Sequence, residues 1–182
     1  MKGNAMKSLV VMLLLAIAPS AFAVGKGKPL PANADLKPVM VHEQAWLGDL
    51  ASALEQAAKE KKPVFIDFTG VTCLNCKINE KNIFPKAEVK ELFAKFVRVQ
   101  LYTDTVPEAF YKKAPEEAER EKHAAANQEF QKKIFSAEQL PYYVIVKPDG
   151  EGGFMVVGAY DEGKINKVDK FVEFLKKPLD GK

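Results

Sequence analysis

Residues 63–77 read PVFIDFTGVTCLNCK. PVFIDF, residues 63–68, is a short, mostly apolar, β-rich run that fits a buried central strand. Thr69-Gly70-Val71-Thr72 is the turn out of it. From Cys73 the sequence CLNCKINEKNIF reads as a helix, interrupted at Pro85. The first cysteine thus stands at the start of a helix, where unpaired backbone N–H groups and the helix dipole favour negative charge. A thiolate is stabilised there, and the thiolate is the nucleophile. Cys76 lies three residues on and faces the same side of the helix. In such a pair one cysteine attacks a partner disulfide and the other resolves the mixed disulfide by attacking back. Cys73 and Cys76 are therefore the candidate catalytic residues.

These are the chain's only two cysteines. A disulfide framework would use more of them and close longer loops. Joining Cys73 to Cys76 closes almost no chain and removes little entropy from the unfolded state. A structural staple is a poor explanation for the pair.

Outward from the motif, the pattern alternates strands and helices. Upstream, residues 46–62 recur at helical spacing, with Trp46, Leu47, Leu50, Ala53, Leu54 and Ala57 on one face, Trp46 serving as a core anchor. A short strand is expected around Val39–Val41. Downstream, the helix resumes over 88–96, and FVRVQLY, residues 96–102, is a second strand. Residues 104–135 are long and charged. From Glu116 they predict an amphipathic helix with Ala118, Ala125, Ala126, Phe130 and Ile134 inward. Leu140-Pro141 precedes YYVIV, a third buried strand. Lys147-Pro148-Asp149-Gly150 is a turn signal, residues 154–158 pair back as a hairpin strand, and 164–177 close as a helix with Ile165, Val168, Phe171, Val172 and Leu175 inward. The expected class is α/β, a mixed central sheet flanked by helices on both faces.

Of 182 residues, 47% are hydrophobic and 28% charged, an ordinary globular balance. Residues 1–23 read as a secretory signal. Lys2 and Lys7 give a basic start, an apolar run follows from Leu9 to Ala18, and Ala21-Phe22-Ala23 supplies small residues for cleavage after Ala23. The run is too short to cross about 30 Å of hydrocarbon as a helix. The protein is accordingly expected to be periplasmic or otherwise exported, where disulfides form. Without residues 1–23 the chain carries 25 basic and 24 acidic residues, a net charge of +1. Nothing in that balance suggests a nucleic-acid partner or a charged membrane surface. Residues 24–37, rich in Gly, Pro and small polar residues, are expected to be a flexible lead-in to a domain spanning 38–182.

The segment FIDFTGVTCLNCK resembles the active-site segment of the thioredoxin-like family. It is most similar to the C-terminal periplasmic domain of the thiol–disulfide interchange protein DsbD and its stand-alone relatives. The resemblance runs from about Trp46 to Leu175, and its pattern F-x-D-F-T-G-x-x-C-x-N-C is much more specific than C-x-x-C alone. It implies a thioredoxin-like fold with a helical insertion before a cis-proline loop at Leu140-Pro141. It implies a protein-disulfide reductase or electron carrier, with the redox-active disulfide Cys73–Cys76 and no other cofactor or metal. Asp67 matches the family's buried acid and is implied to shuttle protons for Cys76. Thr72, Leu140 and Pro141 are implied to lie against the substrate. The implied partners are substrate proteins with disulfides and a membrane-embedded thiol electron donor. Three features depart from the family. Thr72 stands where many thioredoxins have Trp, Gln100 where they often carry a lysine near the buried acid, and the stretch 104–141 is longer.

The residues alone leave other readings open. A disulfide oxidase or isomerase would use the same motif, because the spacing does not set the potential. The same fold also serves as a non-catalytic scaffold or chaperone. Two thiolates with His42 or His123 would make a metal module, although neither histidine has a motif spacing to the cysteines. No heptad or large apolar run argues for more than a monomer.

Overall fold

In the computed structural model, which describes residues 26–179, the run after Pro63 forms β4 (Val64–Thr69), and all six of its residues are buried. Burial on both faces explains its mostly apolar composition. β5 (Val97–Tyr102) lies parallel to it on one side. On the other, β6 (Tyr142–Pro148) runs antiparallel. β6 pairs in turn with β7 (Phe154–Tyr160), and β7 with the two-residue β1 (Lys26–Gly27). The sheet order is β1-β7-β6-β4-β5. A parallel neighbour needs a crossover. Here it is α2 (Leu74–Asn82) followed by α3 (Ala87–Phe93), with Pro85 in the break between them.

Side chains of β4 alternate between two cores, as strand geometry requires. Val64, Ile66 and Phe68 join Leu50, Ala53, Leu54 and Ala57 of α1 (Leu50–Glu60) and Phe130 of α4 (Glu117–Phe135). Phe65 points the other way, into an aromatic core with Phe84, Phe93, Tyr143 and Phe171, the last from α5 (Val168–Lys176). Asp67 and Thr69 share the parity of Phe65. The strand therefore carries both polar side chains to the α2 face.

The first helix starts later than its periodicity predicts. Trp46 ends a hairpin, β2 (Val39–Val41) with β3 (Gln44–Trp46). Asp49 is the cap that starts α1, its Oδ1 accepting from Ser52 N at 2.8 Å. Trp46 still anchors a core, but the other one. It stacks on Phe84 at 5.7 Å and meets Phe65 and Phe93 edge-on. Between hairpin and helix, Leu47 runs beside β5, donating to the Arg98 carbonyl and accepting from Gln100 N, both at 2.9 Å. Trp46→Ala is expected to cost about 3–5 kcal/mol, measured by denaturant unfolding, because it empties the centre of an aromatic cluster.

Two further expectations shift. In α4 the buried residues are Ala124, Asn127, Phe130 and Gln131, while Ala118 and Ala125 are exposed. The inward stripe contains amides because they serve the backbone: Asn127 donates to the Tyr102 carbonyl at 2.9 Å and Gln131 to the Gln139 carbonyl at 3.0 Å. The last helix begins at Val168. Ile165 precedes it, its N–H taken by Asn79 Oδ1 at 3.0 Å.

The stretch read as a lead-in is tied to the domain at both ends. Lys26 and Gly27 pair with Met155 and Phe154. Leu36 bridges to Tyr111 and is buried against Phe110, in the 3-10 turn Glu108–Phe110. The signal-sequence expectation for residues 1–23 falls outside the described residues. Among those described, no helix is long and apolar enough to cross a membrane.

Candidate functional site

Cys73 and Cys76 are joined, with S–S 2.08 Å and Cα atoms 5.3 Å apart. Cys73 is the N-cap of α2, and its Sγ accepts from Cys76 N at 3.2 Å. The two sulfurs differ in access. Cys73 is half-buried, whereas Cys76 is 1% exposed. A partner disulfide can reach the first and not the second. Leu74, between them, is 70% exposed and offers an apolar contact beside Cys73. Its place in the motif was visible in the sequence, and its exposure was not.

Beneath α2 lies a polar cluster in an otherwise apolar sheet. The β4–β5 register sets Asp67 beside Gln100, and the β4–β6 register sets it beside Tyr143. Gln100 Nε2 donates to Asp67 Oδ2 and to Glu80 Oε1, each at 3.1 Å. Thr69 Oγ1 also donates to Glu80 Oε1, at 3.4 Å. A single amide thus bridges two carboxylates. Asp67 is buried, and its Oδ1 has no partner. Burial first, and repulsion from Glu80 second, push its carboxyl well above the usual range, against the bond from Gln100. Burial likewise raises Glu80, against its bonds from Thr69 and Gln100. The two carboxyls are coupled, and burial biases both toward the protonated form.

Glu80 was missed in the sequence reading. Its signal was its spacing, four residues after Cys76 and so on the same face of the same helix. Gln100, noted as a departure from the family, is the bridge itself. A lysine there would add a charge between the two carboxyls; the amide supplies only hydrogen bonds.

Thr72 is exposed and belongs to a turn held by Asp104, its N and Oγ1 each 2.9 Å from Asp104 Oδ2. Asp104 too was missed, since a lone aspartate after a strand carries no spacing signal. The Leu140-Pro141 bond is cis. Leu140 is half-buried and Pro141 buried. α2 is anchored behind the cysteines by Asn79, whose Nδ2 donates to Tyr143 Oη at 2.8 Å and to the Gly163 carbonyl at 3.1 Å.

The two histidines serve elsewhere. His42 Nε2 donates to the Glu80 carbonyl at 2.7 Å, fastening the β2–β3 hairpin to α2. His123 Nδ1, half-buried on α4, meets Tyr111 Oη at 3.0 Å. Neither stands in a group of three or more His, Cys, Asp and Glu side chains able to hold a metal ion, and there is none among the described residues.

A family model described as thioredoxin-like matches residues 45–148. No curated protein matches the chain. Among solved structures, a thioredoxin from Thermus thermophilus aligns with TM-score 0.55 and 18% identity, over 74% of this chain and 86% of that one. A DsbH oxidoreductase aligns with TM-score 0.54 and 20% identity, over 86% and 96%. The oxidised C-terminal domain of DsbD from Neisseria meningitidis aligns with TM-score 0.42 and 22% identity, over 72% and 97%. At these identities the first two speak for the fold.

Proposed function

The chain belongs to the thioredoxin-like family, and on that premise we propose that it is an exported protein-disulfide reductase or electron carrier. One arrangement carries this reading: an accessible Cys73 capping a helix, bonded to a buried Cys76, with a coupled carboxyl pair, both members raised by burial, between that helix and β4.

The exchange proceeds in two displacements. The Cys73 thiolate attacks one sulfur of a partner's disulfide, and the partner's other sulfur leaves with the electron pair and takes up a proton. Cys76 gives its proton to Asp67 and attacks Cys73 Sγ. The bond to the partner breaks, its second sulfur leaves as a thiolate, and the Cys73–Cys76 disulfide forms. Two electrons have passed to the partner. A raised carboxyl suits Asp67 to accept that proton near neutral pH. Thr72, Leu140 and Pro141 are assigned to the surface that meets the partner. A membrane-embedded dithiol donor returns the electrons by the reverse exchange. The redox-active disulfide is the only cofactor in this scheme, and the protein acts as a monomer after cleavage near Ala23.

The test is a redox titration of residues 24–182, trapping free thiols at each thiol–disulfide ratio. The expected midpoint lies near that of thioredoxin, about −270 mV, and below the glutaredoxin range of about −200 to −230 mV. A value near about −120 mV, that of a strong oxidant, would reverse the direction of flow and favour the oxidase reading. A pair that forms no reversible disulfide at any ratio would leave the scaffold reading.

A further inference from the structure

The turn 70–72 joins β4 to α2 and ends on the nucleophile, and its amides converge on one side chain. Val71 N donates to Asp104 Oδ1 and Thr72 N to Asp104 Oδ2, each at 2.9 Å. Thr72 Oγ1 also donates to Oδ2 at 2.9 Å, and Thr105 N to Oδ1 at 2.7 Å. Asp104 comes from the loop after β5, two residues past the strand's end, where Thr103 N still reaches the Thr69 carbonyl at 2.9 Å. Gly70 makes room for this carboxylate, since a Cβ there would lie 2.9 Å from Asp104 Oδ2. Partial burial works against the charge, but the donors from Thr72, Val71 and Thr105 outweigh it and hold Asp104 below the ordinary carboxylate value. The group is ionised at working pH.

The same turn is closed by Cys73 N, which donates to the Gly70 carbonyl at 3.1 Å. A fixed negative charge is therefore bonded to the residue immediately before the nucleophile. We propose that Asp104 is a positioning residue for Cys73: its carboxylate holds the turn that presents the sulfur, and its charge opposes ionisation of that sulfur in the reduced pair. The proposal rests on the redox reading of the cysteines. The charged groups of this part of the fold are Asp104 on the turn before Cys73, Lys77 one turn along α2 from it, and the coupled pair of Asp67 in β4 and Glu80 in α2. The helix N-terminus favours the thiolate, and Asp104 counters it. A less stabilised thiolate makes the dithiol a better electron donor.

The experiment measures the pH profile of Cys73 alkylation in the reduced protein, located by peptide mapping. Asp104→Asn removes the charge and is expected to raise the thiolate fraction at neutral pH roughly threefold, a modest effect because the carboxylate is partly solvated. Asp104→Glu keeps the charge and is expected to leave the profile at the wild-type position. The proposal is overturned by an unmoved profile in Asp104→Asn, even if that variant melts at a lower temperature. It is equally overturned if Asp104→Glu moves the profile as far as Asp104→Asn. Failure of the redox reading is seen separately, in a wild-type pair that does not cycle, because alkylation of Cys73 needs no cycling.

Discussion

Cys76→Ala is expected to leave the protein covalently joined to its substrates. The mixed disulfide forms at Cys73, which is accessible, and nothing is left to attack it. Adducts accumulate to the level of the substrate supplied and are released by added thiol, as read on a non-reducing gel. Cys73→Ser is expected to form none, since Cys76 is 1% exposed and no partner sulfur can approach it. Turnover falls to background in both variants. Adducts in Cys73→Ala and none in Cys76→Ala would reverse the two roles.

Asp67→Asn is expected to separate activity from stability, lowering one and raising the other. Resolution of the mixed disulfide slows by about a hundredfold at neutral pH, because the amide cannot take the proton from Cys76. The stability effect follows from linkage. Burial and the neighbouring Glu80 hold the Asp67 carboxyl well above its unfolded value, so the folded chain binds its proton over a range where the unfolded chain has released it. This contribution is fully present below the ordinary carboxylate range and is lost as the pH rises through the folded pKa. The variant loses only what Glu80, also raised by burial, still contributes over that rise. Its advantage over wild type should grow from about pH 4 towards pH 8, to on the order of 1–3 kcal/mol, the cost of a buried polar group left without a partner. Denaturant midpoints at several pH values measure it. A variant whose advantage over wild type does not grow over the same rise, or one that resolves adducts at the wild-type rate, would remove Asp67 from the proton path.

The strand–turn–helix around the cysteines was legible because each part has a local cause. β4 is mostly apolar because it is covered on both faces, and α2 begins after Cys73 because a sulfur there caps it. Trp46 was misplaced for an equally physical reason. Its spacing to Leu50 and Ala53 fits a helix, but Asp49 is the better cap, and the ring finds a deeper site against Phe84 and Phe65. The polar residues of α4 misled in the same way. Asn127 and Gln131 are buried because each satisfies a carbonyl outside the helix, that of Tyr102 at the end of β5 and that of Gln139 just after α4, and periodicity counts only apolar side chains.

The sequence by itself determined the chemistry's location and type: two cysteines three residues apart at a helix start after a buried strand, with an acid six residues upstream. Those are short-range relations, decided by helix and strand geometry within one segment. Only the tertiary structure decided the acid's surroundings. Asp67, Glu80 and Gln100 come from two strands and a helix, and they meet because parallel pairing puts β5 beside β4 in one register. Asp104 reaches the Cys73 turn by the same pairing. Register, burial and the resulting electrostatics depend on contacts between residues 20 to 33 positions apart, and no local pattern in the chain encodes which of those contacts form.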